Sequence, residues 1–560
     1  MAETLDRKPF ERTMEALKTE QSTWLGGWKD IVKYEAPQRG HFDNQQPNQG
    51  KIIDHKTLLD GRAVRAGETL SAGMSSGLTN PSSQWFKLGL ADKKLEKREG
   101  VKSYLEECRE RMMAVFDRSN FYGALDSIYE ECGHFATAAM LVVEDFRDVI
   151  RCRPYTIGEF VLAVGADGRV NTFGTDYQFT VGQLVGAFGK DAVSAPVRGM
   201  YDKGDLQNWV KCRHLIEEND QRLPGRADFR NMPYRSVYWE DGSKEGKFLR
   251  VHGFEEFPAM CPRWRQRTTR DAYGFGSPGY LALGDAKMLQ AIQRDKLIAL
   301  KKMGDPPLNA DASVKRGGVN TLPGGVSRSN SSAPNAGVRA AYQVQPHMEQ
   351  IEFSVAKTQE AIDRYYYVDL FLMLQRADRT NMTAREVAER HEEKLLMLGN
   401  VIERLESELL DPAIQRTYSI MNRVGLLPPP PEELQGQELK VEYISILAQA
   451  QKMVRVTALR EHVTVVAGWE AVKPGTIDNL DLDKASELHA DMLGIPPGVN
   501  RSPEALAEIR EARAKAAEQQ AMADAAERAA NGAKVLADTP LNTGSALDAL
   551  MGGAGGGGTA

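Results

Sequence analysis

The chain of 560 residues is poor in several things that would narrow its chemistry. Cysteine is scarce: Cys108, Cys132, Cys152, Cys212 and Cys261 stand apart, with no C-x-x-C pair. That spacing excludes a zinc knuckle and a disulfide framework, and it implies reduced, buried thiols of the kind a reducing cytoplasm keeps. Nine histidines are dispersed without metal-ligand spacing. No apolar run approaches the ~18 residues of a membrane span, and the longest, Phe135 to Val143, reads as a buried element. A basic excess is missing too: 71 Lys and Arg against 77 Asp and Glu leave a formal net charge of -6. A general nucleic-acid binder would show the opposite balance. The stretch Met1 to Asp6 has no basic segment leading into an apolar one, so no secretory signal is expected.

What is there is a folded, soluble composition, 42% hydrophobic and 26% charged. The length exceeds one compact core, so roughly two to four structural units are expected.

Helical patterns cover 3–36, 57–76, 98–117 and 121–137, with a short strand-like run Trp85-Phe86-Lys87-Leu88 between the second and third. Residues 139–190 read as β, built from two hairpins. The linker of the second, Gly165-Ala166-Asp167-Gly168, carries the Asp-Gly turn signal. Further strands are expected at 209–216, 234–240 and 248–253, and Phe257 to Trp264 as an extended connector. Later, Thr383-Ala384-Arg385-Glu386 is a capping box. Leu395, Leu398, Ile402, Leu405 and Leu409 follow on one helical face until Pro412 kinks or splits it. Pro428 to Pro431 reads as a stiff hinge, 438–496 as a small helical unit, and 502–530 as an Ala-rich helix with little core of its own. Gly552 to Ala560 reads as a disordered end.

The most distinctive stretch runs from Tyr273 to Met373. Ser277-Pro278 opens a helix with an N-cap and a first-turn proline, and Gly304-Asp305-Pro306-Pro307 closes it. That strut holds ~26 residues, about 39 Å at 1.5 Å per residue. A second, 348–373, is of similar length, and a Gly/Pro/Ser-rich insertion lies between them. A loop that long usually serves a function or a partner. The first strut carries Lys287, Arg294, Lys296, Lys301 and Lys302; the second carries Glu349, Glu352, Glu360, Asp363 and Asp369. Either these are solvated faces of one helical hairpin, or the basic strut of one subunit lies beside the acidic strut of its neighbour in a ring. After the second strut, Gln375 to Asn381 sets Arg376 and Arg379 in a short polar break. Facing a channel, it would put cations and amides near phosphates without reading bases.

Catalytic signatures fail on inspection. Gly274-Phe275-Gly276-Ser277-Pro278-Gly279 matches G-x-G-x-x-G, but polar residues precede it and Pro278 removes an amide that a phosphate would need. His391-Glu392 lacks the second zinc-ligand histidine, because Leu395 stands there. Gly189-Lys190 lacks the rest of a phosphate-binding loop, and no G-x-S-x-G elbow stands out. The enzymatic rival is a metal-dependent nuclease or hydrolase gathered from Asp145, Asp148, Asp167 and Asp176, although all four fall near turns. No enzyme activity and no cofactor are expected.

The set of Leu78-Thr79-Asn80-Pro81-Ser82-Ser83-Gln84-Trp85-Phe86, Tyr129 to Met140, Tyr273 to Pro278, Asp305-Pro306-Pro307 and Thr383 to Val387 resembles the head-to-tail connecting, or portal, proteins of short-tailed bacteriophages. The match spans about residues 10–430; Phe173-Gly174-Thr175-Asp176-Tyr177 departs from it where a basic residue would stand. The resemblance implies an α+β, predominantly α-helical subunit of a ring, usually of twelve copies, at one capsid vertex. It implies a wing (1–276, with a long helix at 383–430), a stem (277–303 and 348–374), a clip (304–347) and a channel loop (375–382). A crown (431–501), a C-terminal barrel helix (502–532) and a disordered tail (533–560) would complete it. Gln375, Arg376, Arg379 and Asn381 would line the channel. Lys315, Arg316 and Arg328 would dock partners, and Lys287, Arg294, Lys296, Glu352, Glu360 and Asp363 would join subunits along the stem. Implied partners are further copies, a terminase motor, tail adaptors, capsid and scaffolding proteins, and double-stranded DNA passing through; no membrane is implied. The site of action would be the virion, after assembly in the host cytoplasm. The alternative in the same field is a tail adaptor or another virion component.

Overall fold

A computed structural model describes residues 5–42, 56–90, 92–96, 98–223, 228–229, 231–310, 314, 318–327, 337–342, 347–372, 398–431, 434, 439–444, 462–469, 473, 475–493, 503–538, 540–541 and 544–545. The chain divides into two units, Met1–Ala458 and Leu459–Ala560.

The first unit is a mixed α+β body. Its N-terminal helical pattern is two helices rather than one, α1 (Lys8–Ser22) and α2 (Leu25–Tyr34), parted at Thr23-Trp24. Next come α3 (Arg62–Leu78), strand β1 (Phe86–Leu90), the short α4 (Lys93–Glu96), α5 (Glu99–Arg118) and α6 (Phe121–Phe135). Small residues on α3 allow close helix contact: a Cβ added at Gly73 or Gly67 would run into Phe371 or the His134 ring. Between α5 and α6 the rings of Phe116 and Phe121 stack 4.1 Å apart beside the buried Trp85. The left-handed residue Ala136 (φ 61) ends α6 and turns the chain into the sheets.

Both predicted hairpins form. Strands β2 (Ala139–Asp145) and β3 (Val149–Tyr155) pair, as do β4 (Phe160–Val164) and β5 (Val170–Thr180). In the second hairpin Gly168 adopts φ 81, which its lack of a Cβ permits. The β reading of 139–190 runs too far, however. Thr180 and Gln183 form a capping box that starts helix α7 (Val181–Phe188), and α8 (Ala195–Lys203) follows. The β-branched residues of 181–185 disguised a local cap whose two hydrogen bonds decide the matter. Strands β6 (Trp209–Glu218), β7 (Tyr234–Glu240) and β8 (Arg250–Phe254) then complete an antiparallel sheet ordered β4-β5-β6-β7-β8. The extended connector supplies β9 (Ala259–Met260), which borders β2 in a three-stranded sheet.

Beyond it lie helix α9 (Pro278–Gly304), a small ladder of β10 (Leu308–Ala310) with β11 (Val338–Ala340), and helix α10 (Met348–Tyr365). A helical run at 398–405 passes through a π-turn at Glu406–Leu410 into the helix Asp411–Arg423. Pro412 sits in the first turn of the latter, so the missing amide is tolerated and the helix shifts register instead of breaking. Leu398, Ile402, Leu405 and Leu409 are all buried, in the same apolar cluster as residues of α3, α5 and α6. Residues 439–443 correct the reading of a purely helical unit after 438: they form β12 (Leu439–Tyr443), antiparallel to β1.

In the second unit, described by itself, helices cover 462–469 and Leu482–Leu493. The Ala-rich helix runs Pro503–Asp538, 36 residues and longer than its sequence pattern suggested. From Glu511 to Asn531 every side chain on it is exposed.

Candidate functional site

The two struts and their seat in the first unit form the candidate site. The G-x-G-x-x-G run proves to be a packing motif. A Cβ at Gly274 would strike the carbonyl oxygen of Ala136, and one at Gly279 would lie 2.8 Å from His134 Cα. These glycines therefore let the start of α9 cross the end of α6 backbone to backbone. Two hydrogen bonds lock the crossing: Gly274 N–H donates to Thr137 Oγ1 at 2.8 Å, and Ser277 Oγ donates to the His134 carbonyl at 3.0 Å. Ser277 occupies the N-cap position, but its hydroxyl serves this tertiary contact rather than its own helix.

The first strut spans 27 residues, about 40 Å. Its near half is seated through Ala282, Ala286 and Leu289, all fully buried. Gln290 is buried as well, and its amide grips the turn before α3. Its Oε1 accepts from the amides of Leu59 (2.7 Å) and Asp60 (2.9 Å), while its Nε2 donates to the Asp60 carbonyl at 2.7 Å. The Asp60 carboxylate in turn accepts from Gln293 on α9 at 3.0 Å and Gln359 on α10 at 2.8 Å. One acidic side chain thus ties both struts to the body. Periodicity gave no sign of this clamp, because glutamines on a helix face read as solvated.

Five of the six charged residues proposed to join neighbouring subunits find partners within this chain. Lys287 Nζ lies 2.6 Å from Asp30 of α2. Lys296 pairs with Glu352, strut to strut. Asp363 Oδ1 accepts from Arg62 Nε at 2.7 Å, and Glu360 pairs with Arg364 one turn along at 2.6 Å. Arg294 is exposed and has no ion pair among the described residues. All but the Lys296–Glu352 pair tie a strut to the body or to itself.

The second strut does not run unbroken to Met373. It ends at Tyr365, turns at Tyr366-Tyr367 and resumes over 368–372, with Tyr367 at φ 54, a region that costs a bulky side chain strain. A buried network holds the break. The Tyr366 hydroxyl donates to Glu35 Oε2 at 2.6 Å, and His134 Nδ1 lies 2.8 Å from the Tyr366 hydroxyl oxygen. All three side chains are sealed from solvent. Burial raises the Glu35 carboxyl above its ordinary range, and burial together with Glu35 drives the Tyr366 phenol well up. Nearby, burial lifts the Glu131 carboxyl to about 7, although Arg39, Thr156 and the Ile157 amide oppose it.

Other sequence candidates resolve differently. Gln375, Arg376, Arg379 and Asn381 lie outside the described residues, as do Lys315, Arg316, Arg328 and the capping box at Thr383. The four aspartates of the nuclease reading are spent elsewhere. Asp145 accepts from the amides of Arg147 and Asp148 in its turn, and Asp148 faces Arg118. Asp167 accepts from the Arg169 amide, and Asp176 pairs with Lys18. Among the described residues, no three His, Cys, Asp or Glu side chains gather as a metal would require.

Comparison with known proteins supplies the class. The family model "Bacteriophage head to tail connecting protein" matches residues 7–500. The chain belongs to that family. It is 40% identical over 526 residues to a "Probable portal protein" of Bordetella phage BPP-1, covering 94% of each chain. It is also 40% identical over 556 residues to the "Portal protein" of Salmonella phage epsilon15, covering 99% of each. Its role is that of a portal connector, a structural one. A solved chain from the "Neck of empty GTA particle computed with C6 symmetry" is 11% identical with a TM-score of 0.35 over 84% of this chain and 99% of its own, too loose a likeness to inform the fold.

Proposed function

We propose that copies of this chain close into a ring at one capsid vertex, with the strut hairpins walling a channel through which double-stranded DNA enters and leaves. The observation that carries this reading is the far half of α9. There Leu297, Ile298, Leu300 and Met303 stand in solvent, and Phe353 on α10 is 70% exposed. The α9 side chains are already about half covered, so hiding the rest of each is worth about 1 kcal/mol, and a neighbouring strut gains by covering them. The inter-subunit contact along the stem then rests on apolar surface, with Lys296 and Glu352 as a rim pair and Arg294 as a cation left for the neighbour.

On this reading 304–347 is the clip that takes a terminase motor and later a tail adaptor, with Lys315, Arg316 and Arg328 as docking contacts. Residues 375–382 are the channel loop, where Gln375, Arg376, Arg379 and Asn381 meet the polyanion. The first unit up to Tyr443 contains the wing, because β12 belongs to the β1 ladder. The Ala-rich helix at Pro503–Asp538 is the barrel helix, its exposed faces awaiting copies of itself. A net charge of -6 suits a conduit, since every neutralised phosphate would add salt-dependent drag.

The test is imaging and mass measurement of the purified protein. Annular particles are expected, and Leu297→Ser with Ile298→Ser should convert them to lone subunits with an unchanged far-ultraviolet spectrum. A protein that is a monomer at every concentration overturns the ring. Deleting 376–381 should spare the ring and impair genome packaging or retention; particles with normal genome content would refute the channel loop.

A further inference from the structure

A cleft of about 530 Å³ opens in the first unit between its two larger sheets, away from the struts' anchoring residues. Its size lies within the range of built binding pockets. One side is aromatic. Tyr177 and Tyr238 line it with ring planes 21° apart, Phe179 continues the row, and Phe188 meets Tyr238 at 5.4 Å. Val143 and Phe254 add apolar wall.

The rest is charged, unevenly. Four guanidiniums (Arg153, Arg250, Arg416, Arg423) face two carboxylates (Glu144, Glu255), so four minus two leaves +2 on the lining. Both carboxylates are already taken by Arg423, at 2.8 and 3.0 Å. Arg416, nearly sealed from solvent, is held by the Val142 carbonyl and Glu256. Arg250 caps α7 through the Ala187 carbonyl at 2.7 Å and lies 5.1 Å over the Phe188 ring. Neither it nor Arg153 has a carboxylate partner among the described residues, and the Arg153 side chain is exposed. An apolar trough flanked by two guanidiniums without counter-charge calls for a ligand that supplies single carboxylates beside an apolar side chain.

We propose that this cleft docks an extended acidic segment of a partner protein, with a carboxylate on Arg153 and an adjacent leucine or aromatic side chain between Tyr177, Tyr238 and Phe254. A polyphosphate or nucleic acid fits less well. The helix end at the cleft is the C-terminal, electronegative end of α7, and Glu144 and Glu255 would face a dense anion at close range. The assignment stands apart from the channel reading, since none of these residues belongs to the struts.

The test uses the full-length protein in its assembled form and fluorescein-labelled octapeptide pools. One pool draws its positions from Asp, Leu, Phe, Tyr and Ser; the control replaces Asp by Asn. The acidic pool should be retained and the amide pool not. Arg153→Gln should weaken retention about tenfold, the worth of one charge-assisted hydrogen bond of about 1.4 kcal/mol, with Arg153→Lys intermediate. Thermal melts establish that both variants fold. Equal retention of the two pools, or retention indifferent to Arg153→Gln, overturns the proposal. So does stronger competition from ATP or a dT oligonucleotide than from unlabelled acidic pool. Retention by dissociated subunits but not by the ring overturns it too, because a second copy would then be the occupant.

Discussion

Substituting Gly279 by alanine puts the seat of the first strut to a direct test. The new methyl would meet three backbone atoms of His134, with Cα at 2.8 Å and the carbonyl carbon at 3.0 Å. Backbone cannot swing aside as a side-chain tip can, so α9 must lift from α6. Overpacking of this kind costs about 1–3 kcal/mol. Lifting also breaks the Ser277 bond to the His134 carbonyl, worth about 1 kcal/mol more. The expected loss is therefore about 2–4 kcal/mol. Gly284, five residues along the same helix, is the internal control: nothing lies within 4 Å of its added Cβ. Gly284→Ala should stabilise by about 0.5–1 kcal/mol, because alanine has less backbone entropy to lose. The assay is urea unfolding followed by tryptophan fluorescence, since Trp28 and Trp264 are buried in the clusters that the crossing touches. With an m-value of about 3 kcal/mol per molar, the Gly279→Ala midpoint should fall by about 1 M. A midpoint equal to that of the parent would refute the backbone-to-backbone crossing.

Tyr366→Phe removes the hydroxyl that Glu35 accepts from; it should cost about 1–3 kcal/mol and raise amide hydrogen exchange over 360–372, whereas unchanged exchange there would show that the break holds without the network. Glu131 gives a pH test. Its carboxyl titrates at about 7 when folded and near 4.5 when unfolded, so between these values the folded state holds the extra proton and stability falls as pH rises. The full effect is about 3 kcal/mol, and Glu131→Gln should flatten that slope in urea midpoints taken from pH 4.5 to 8. His214 has the opposite sign: burial depresses it to about 3, so stability drains as pH falls below 6.5, and His214→Gln should soften the acid-side loss. A steeper acid loss in that variant would contradict the buried neutral ring.

How much of this was legible depends on how local the deciding interaction is. The first strut announced itself because an N-cap serine, a first-turn proline and a closing Gly-Asp-Pro-Pro run all act within one turn. The Asp-Gly hairpin did likewise. Strand β12 did not, since its identity comes from pairing with β1 near the other end of the chain. The ladder of β10 and β11 was hidden inside a Gly/Pro/Ser-rich stretch. The break at Tyr366-Tyr367 was invisible because no glycine or proline marks it; three buried side chains from α2, α6 and the strut enforce it. The strut charges were legible as residues and ambiguous as contacts, since a lysine reveals nothing of whether its partner lies in the same chain.

The Asp60 clamp has a consequence for how the connector responds to its surroundings. Its donors, Gln290, Gln293 and Gln359, are uncharged amides, so dissolved salt has little grip on the joint. The Lys287–Asp30 and Lys296–Glu352 contacts are Coulombic and partly wet, and a rising ion concentration weakens them first. Ionic stress therefore loosens these charged contacts while the amide clamp on Asp60 stays fixed.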